Sequence, residues 1–194
     1  MTAKKPHPYH HGDLASALRA AARAILEEEG LEALSLRSVA RRAGVSYAAP
    51  YRHFVSREAL LAELAVEGYG ELRNEIVKAA AAPGGKSDRI AHIGAAYMRF
   101  AVRHSGLMRL MFGAEFFDRT AFPGLTEASD LIGYEIGTAV DDPILGLAVW
   151  ASIHGLAVLV LENVIDLGQR KSGVDALPSR AEILLRSLLS QPLQ

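Results

Sequence analysis

Apolar residues recur along most of this 194-residue chain at helical spacing, and no stretch alternates as a strand does. Leu14, Leu18, Ala21, Ala22, Ile25 and Leu26 fall on one face, which predicts a helix over residues 13–29 ended by Gly30. Leu36, Val39, Ala40 and Ala43 make a shorter stripe, with Ser35 before it as an N-cap and Gly44 after it as a terminating glycine. Ser46 is a second N-cap. From it a short helix is predicted through Tyr51 to Phe54, with Ser46, Tyr47, Arg52 and His53 on its polar face. A longer helix begins after Ser56 and runs to about residue 80, where Pro-Gly-Gly-Lys-Ser at 83–87 breaks the pattern. Ile90, Ile93, Tyr97 and Phe100 mark the next helix, over 88–104. A dense Met and aromatic segment follows at 107–117, then a loop at 120–124 and a helix at 125–139. Asp141, Asp142 and Pro143 cap a long apolar helix, and a final helix spans 178–189. There are no repeats or heptads, so the fold class is all-α.

The long apolar helix carries two questions. Residues 144–161 hold no formal charge over eighteen positions, the length at which a membrane span becomes a candidate. Against a span, His154 lies inside it, Asp141, Asp142 and Glu162 flank it, and no Lys or Arg cluster follows to fix an orientation. A helix apolar all round is also what burial on two sides requires. One face, with Trp150 and Ile153, is expected against the protein's own core. Another, with Ser152, Gly155, Leu156 and Leu159, is expected against a second subunit, joined by Ile183 and Leu184 of the last helix. A homodimer is therefore implied, and no membrane.

Two short helices joined at Gly44 have the layout of a helix-turn-helix. The same layout occurs in all-helical proteins that never touch nucleic acid, so charge matters to the choice. Residues 1–54 carry 8 Lys+Arg against 5 Asp+Glu, while residues 55–194 carry 13 against 17, within an overall net charge of −1. A basic front and an acidic rear suit a chain whose one end neutralises phosphates.

With these elements in place, the chain resembles the tetracycline-repressor (TetR) family of transcriptional regulators from Leu14 to Leu64. The likeness is carried by Ala-Ala-Arg-Ala-Ile-Leu-Glu-Glu-Glu-Gly30, by Leu34-Ser-Leu-Arg-Ser-Val-Ala-Arg-Arg-Ala-Gly-Val-Ser46, by Tyr51-Arg-His-Phe54 and by Arg57-Glu-Ala-Leu-Leu61. Tyr9-His-His-Gly-Asp-Leu14 and Trp150-x3-His154-Gly155 are similar to a subgroup whose C-terminal domain bears a Trp-His-Gly signature. The resemblance implies a three-helix DNA-binding domain at 13–57 behind a basic, His-containing arm at 1–12. It also implies a helical ligand-binding and dimerisation domain at 58–194.

Base edges in the major groove are read mainly from the start of a recognition helix, so Tyr47, Ala48 and Arg52 are the expected readers. The resemblance assigns phosphate contacts to Tyr51 and His53, with Ser35, Arg37, Ser46 and Arg57 completing the DNA-binding set. Pro50 departs from the helix former usual at its place and removes a backbone donor. Phe54 is expected in the core.

The signal should enter the C-terminal domain. Tyr97, Phe100, Met111, Phe112, Phe116, Tyr134, Trp150 and His154 either line a pocket for a small apolar or amphipathic effector or simply form core. His154, the one polar group in a very apolar helix, needs a hydrogen-bond partner if buried. No cofactor is expected. The chain has no Cys, which excludes disulfides and thiol catalysis, and no phosphate loop, Gly-x-Ser-x-Gly or His-Glu-x-x-His motif. His7, His10 and His11 lack supporting carboxylates, and a DNA-contacting arm with Lys4 and Lys5 is the favoured reading over a metal site. No apolar segment follows the basic start, so no secretory signal is read and a cytoplasmic place is expected. A helical dimer acting as an adaptor or ligand sink, without DNA contact, is the alternative.

Overall fold

The computed structural model describes residues 11–114, 119–167 and 176–189. Among them the secondary structure is entirely helical. In order these are α1 (His11–Glu28), α2 (Leu36–Arg42), α3 (Arg57–Ala80), α4 (Lys86–Arg103), α5 (Ser105–Phe112), α6 (Pro123–Ala139), α7 (Pro143–Leu161) and α8 (Leu177–Leu189), with 3-10 turns at Leu31–Ala33, Pro50–Arg52 and Arg119–Ala121. Two compact units divide the chain within α3, one reaching Leu64 and the other beginning at Ala65.

In the first unit the apolar stripe of α1 buries Leu18, Ala22, Ile25 and Leu26 together with Leu36, Val39 and Ala40 of α2 and Leu60, Leu61 and Leu64 of α3. Ser35 caps α2 by accepting the Ser38 N–H at 3.0 Å, and the Ser38 hydroxyl accepts the Ser35 N–H at 2.9 Å. Both free donors of the helix start are thus satisfied within four residues. At the other end the Val45 N–H donates to the Ala40 carbonyl and the Gly44 N–H to Arg41, the double bond of a Schellman ending. That ending needs a left-handed residue, and Gly44 sits at φ +69°.

The segment after this turn differs from the expected short α-helix. Ala49 N–H donates to Ser46, Arg52 to Ala49 and His53 to Pro50, so the backbone advances by tight i to i+3 bonds, with a 3-10 helix only at Pro50–Arg52. Pro50 has no N–H to offer the Ser46 carbonyl, which is the bond a continuous α-helix would require there. Buried Pro50 and Phe54 hold the segment to the core instead.

In the second unit α4 is the central element, burying Ile90, Ile93, Tyr97, Met98 and Phe100 and packing against α6, α7 and α8. α6 and α7 form an antiparallel hairpin. Asp142 caps α7 by accepting the N–H groups of Ile144 and Leu145 at 2.9 and 3.0 Å, and Pro143 occupies the first turn. Beyond the turn the helices touch backbone to backbone, because a Cβ on Gly146 would lie 2.4 Å from the Gly137 Cα. α3 and α5 also meet at a glycine: a Cβ on Gly68 would lie 2.7 Å from the Met111 sulfur and 2.9 Å from Leu107.

α7 is long and apolar enough to cross a membrane by length and composition. It buries Gly146, Val149, Ile153, Ala157 and Val160 in the unit, which is the pattern of a core helix with a second, open face.

Candidate nucleic-acid interface and ligand cavity

The turn after α2 brings Ser46, Tyr47, Ala48, Tyr51 and Arg52 to the surface together, with Tyr47 51% and Tyr51 64% exposed. Two large aromatic rings are thus left in water side by side with Arg52 on one turn. The Arg37 guanidinium lies over the Tyr47 ring at 4.9 Å and fixes both side chains. His53 is partly covered and tilts against buried Phe54 with centroids 6.4 Å apart. Ser35 is exposed, but its side chain is occupied by the α2 cap.

Arg57 departs from its expected phosphate role. Its guanidinium donates to the Leu34 carbonyl at 2.7 Å and the Leu31 carbonyl at 3.0 Å, tying the start of α3 to the loop before α2. Arg42 is likewise engaged, bridging Glu28 and Glu29 at the end of α1, and those carboxylates raise its pKa. The basic character of this unit therefore reaches the surface more selectively than its charge count implies. The arm with Lys4, Lys5, His7 and His10 lies outside the described residues.

In the second unit a cavity of about 390 Å³ is lined by Tyr69, Phe112, Arg119, Ser129, Trp150 and His154 among others. A smaller one of about 190 Å³ shares Phe112 and His154 and continues past Met108, Val158 and Leu161 to Arg109 and Glu162. Phe112 and His154 are in ring contact at 4.3 Å, and Phe112 meets Trp150 edge-on at 6.5 Å. Burial holds the His154 imidazole below the ordinary histidine pKa, so it is neutral near pH 7, and burial pushes the Tyr97 phenol well up. The Tyr97 hydroxyl and His154 Nδ1 are 2.9 Å apart. The buried Trp150 indole N–H, which can only donate, is turned towards the Tyr97 oxygen and there opposes the effect of burial on the phenol.

Of the expected pocket residues, Phe112, Trp150 and His154 come together at these cavities, while Tyr97 supports them from behind. Phe100 and Met111 are core side chains. Tyr134 stands apart, 67% exposed on α6 beside a shallow surface depression. Phe116 lies outside the described residues. Tyr69 and Arg119 were not singled out by sequence pattern. The buried Tyr69 hydroxyl donates to the Met111 carbonyl at 2.6 Å, and Arg119 Nη2 donates to both that carbonyl and the Tyr69 oxygen, at 2.6 and 3.1 Å. Nothing in local spacing pairs residues 42 and 50 positions apart; only the lone cation just beyond the aromatic segment hinted at it. Among the described residues no group of His, Asp and Glu could hold a metal ion.

On the outer side, Leu159 of α7 and Ile183 and Leu184 of α8 stay exposed, while the exposed Leu147 and Val158 belong to the walls of the two cavities. Ser152 is exposed and returns its hydroxyl to the Ala148 carbonyl at 2.8 Å. Gly155 has open space where a Cβ would stand, and Leu156 is partly covered.

Residues 18–64, the span from α1 through the exposed turn into α3, match the family model of bacterial regulatory proteins of the tetR family. The N-terminal unit belongs to the TetR family. No curated protein matches the chain in sequence. Among solved structures, a protein of unknown function from Rhodococcus sp. RHA1 is 33% identical, with a TM-score of 0.74, over 96% of this chain and 100% of that one. A regulatory protein in the tetR family from Rhodococcus RHA1 is 18% identical, TM-score 0.70, over 92% and 98% of the two chains. The transcriptional regulator FadR from Bacillus subtilis, solved in complex with stearoyl-CoA, is 15% identical, TM-score 0.65, over 89% and 98%. The N-terminal unit is thus a TetR helix-turn-helix, and the C-terminal helices follow the TetR regulator fold.

Proposed function

We propose that this TetR-family protein is a homodimeric, cytoplasmic repressor that binds a palindromic operator and is released from it by a small apolar or amphipathic effector. The observation that carries the reading is the exposed cluster of Tyr47, Ala48, Tyr51 and Arg52 on one turn held rigidly behind the Schellman ending of α2. Arg52 supplies a guanine reader, Ala48 close approach, and Tyr51 a phosphate contact.

The outward apolar faces of α7 and α8 supply the dimer contact, since exposed apolar surface of this kind marks an interface. Two copies related by a two-fold axis must hold their reading turns about 34 Å apart to enter successive major grooves. An effector acts only if it prefers one arrangement of the readers over the other. The Tyr69–Met111–Arg119 network gives it purchase on α3, the helix that runs into both units. The stearoyl-CoA complex of the B. subtilis regulator supports an amphipathic effector in this fold.

The test is retention of fragmented genomic DNA by the purified protein, with a Tyr51→Ala, Arg52→Ala double variant in parallel. Enrichment of a few palindromic sites, lost in the variant and weakening steeply with salt, is expected. Equal retention by both proteins, or none by either, would favour an adaptor without sequence-specific DNA contact.

A further inference from the structure

The exposed segment after Gly44 is poor in groups that can read a base by hydrogen bonding. Ahead of Arg52 its exposed residues are Ser46, Tyr47, Ala48 and Tyr51, and Ala48 offers only a methyl. Most landmarks of the major groove are donors and acceptors, but the C5 methyl of thymine is apolar and is read by apolar contact. Tyr47, beside Ala48, supplies a ring that is 51% exposed. A ring free to rotate is a poor reader, because binding must first freeze its torsions. Tyr51 has no cation or second ring against it among the described residues. Tyr47 does: the Arg37 guanidinium reaches across from α2 and sits 4.9 Å from its ring centroid. That contact uses the charge of Arg37 and leaves its N–H groups unspent. Among the described residues they meet no acceptor atom and no carboxylate, whereas Arg42 at the end of α2 is held by Glu28 and Glu29.

We propose that Arg37 and Tyr47 act as one composite reader of a thymine. The Tyr47 ring packs on the C5 methyl. Arg37 is a positioning residue that holds the ring in place and clasps a backbone phosphate with its unspent N–H groups. This rests on the DNA-binding reading above and narrows it: each half-site of the operator carries a thymine recognised by its methyl group rather than by a hydrogen bond. Such a reader separates thymine from uracil, which differ by that methyl alone. A reader that hydrogen-bonds the base cannot make the distinction, since both present the same O4 acceptor in the groove. The Tyr47 hydroxyl has no part in the contact, so the ring suffices.

The probe is the most strongly retained palindromic fragment from the genomic selection, resynthesised with deoxyuridine in place of thymidine at one symmetric pair of positions at a time. Binding is followed by fluorescence anisotropy over a range of salt concentrations. At one pair, uridine is expected to weaken binding about fourfold per half-site, the effect of uncovering one buried methyl. At that pair Tyr47→Ala should bind both duplexes equally, while Tyr47→Phe should keep the discrimination. Arg37→Ala should lose most of it and lower the salt slope by about one phosphate contact per half-site. Arg37→Lys, which returns a cation to the ring, should restore part of both. If Tyr47→Ala fails to fold, Tyr47→Ser takes its place. Discrimination that survives loss of the ring but disappears in Ala48→Gly overturns the assignment to Tyr47, and discrimination undiminished in Arg37→Ala overturns the positioning role. Tight palindrome-specific binding that ignores uridine at every pair overturns the methyl reading and leaves the DNA-binding reading standing; retention of no fragment overturns both.

Discussion

Arg52 stands exposed on the outer side of the 3-10 turn with no partner among the described residues. A side chain that contributes nothing to the fold can be removed cleanly, so Arg52→Ala is expected to leave thermal stability unchanged. It should weaken operator binding by about 1–3 kcal/mol and broaden the sequence preference at one position. Titration of operator variants, base pair by base pair, checks this; an unaltered preference would remove Arg52 from the readers. His154 allows a second residue-level prediction. Its folded pKa is depressed by burial, so below about pH 6.5 the unfolded chain takes up a proton that the folded chain resists. Stability is therefore lost as pH falls from that point and levels off once pH passes under the folded pKa. Urea melts of the protein and of His154→Gln at pH 7.5 and pH 5 should show the smaller acid loss in the variant.

At the scale of elements, the α6–α7 hairpin rests on a contact that admits no side chain. A Cβ on Gly146 would meet the Gly137 Cα and N at 2.4 and 2.7 Å, and backbone cannot step aside as a side-chain tip can. Gly146→Ala is expected to cost about 1–3 kcal/mol, read as a lowered Tm, with DNA affinity at low temperature retained. The helices themselves were legible because burial repeats with the period of the backbone: Ile90, Ile93, Tyr97 and Phe100 are all buried, and Asp142 caps α7 where Asp and Pro stand together. Less legible was anything settled by a distant partner. Arg57 reads as a surface cation until Leu31 and Leu34, 26 and 23 residues earlier, are seen to hold it. Tyr134 has the aromatic character of a pocket residue yet lies on the outer face of α6. Pro50 was noticed as a departure, but its effect, a change of helix type, depends on the particular hydrogen bond it deletes. At the cavity, Phe112, Trp150 and His154 could be named from composition alone. Tyr69 and Arg119 could not, because their meeting depends on how α3 and α5 pack at Gly68.

For the whole molecule, the proposed functional unit, a homodimer, rests on the open apolar faces of α7 and α8. Leu159 is 41% exposed and Ile183 62%, on faces that no other element among the described residues covers. Placing a charge there should leave each copy folded while opposing association, since an unpaired charge in an apolar interface is heavily penalised. Leu159→Glu is expected to halve the mass measured by light scattering and to reduce affinity for a palindromic site at least tenfold, by loss of the second half-site. A monomeric protein before the substitution would contradict this reading. The reading segment adds a consequence of a different kind. Its shape rests on a few short-range bonds of its own and on the anchoring of Pro50 and Phe54 in the core, and a segment without the regular ladder of an α-helix opens at lower free energy than the helices around it. On warming, the grip on DNA should therefore slacken several degrees before the protein melts, so that a protein acting as the proposed repressor would be switched off by heat alone.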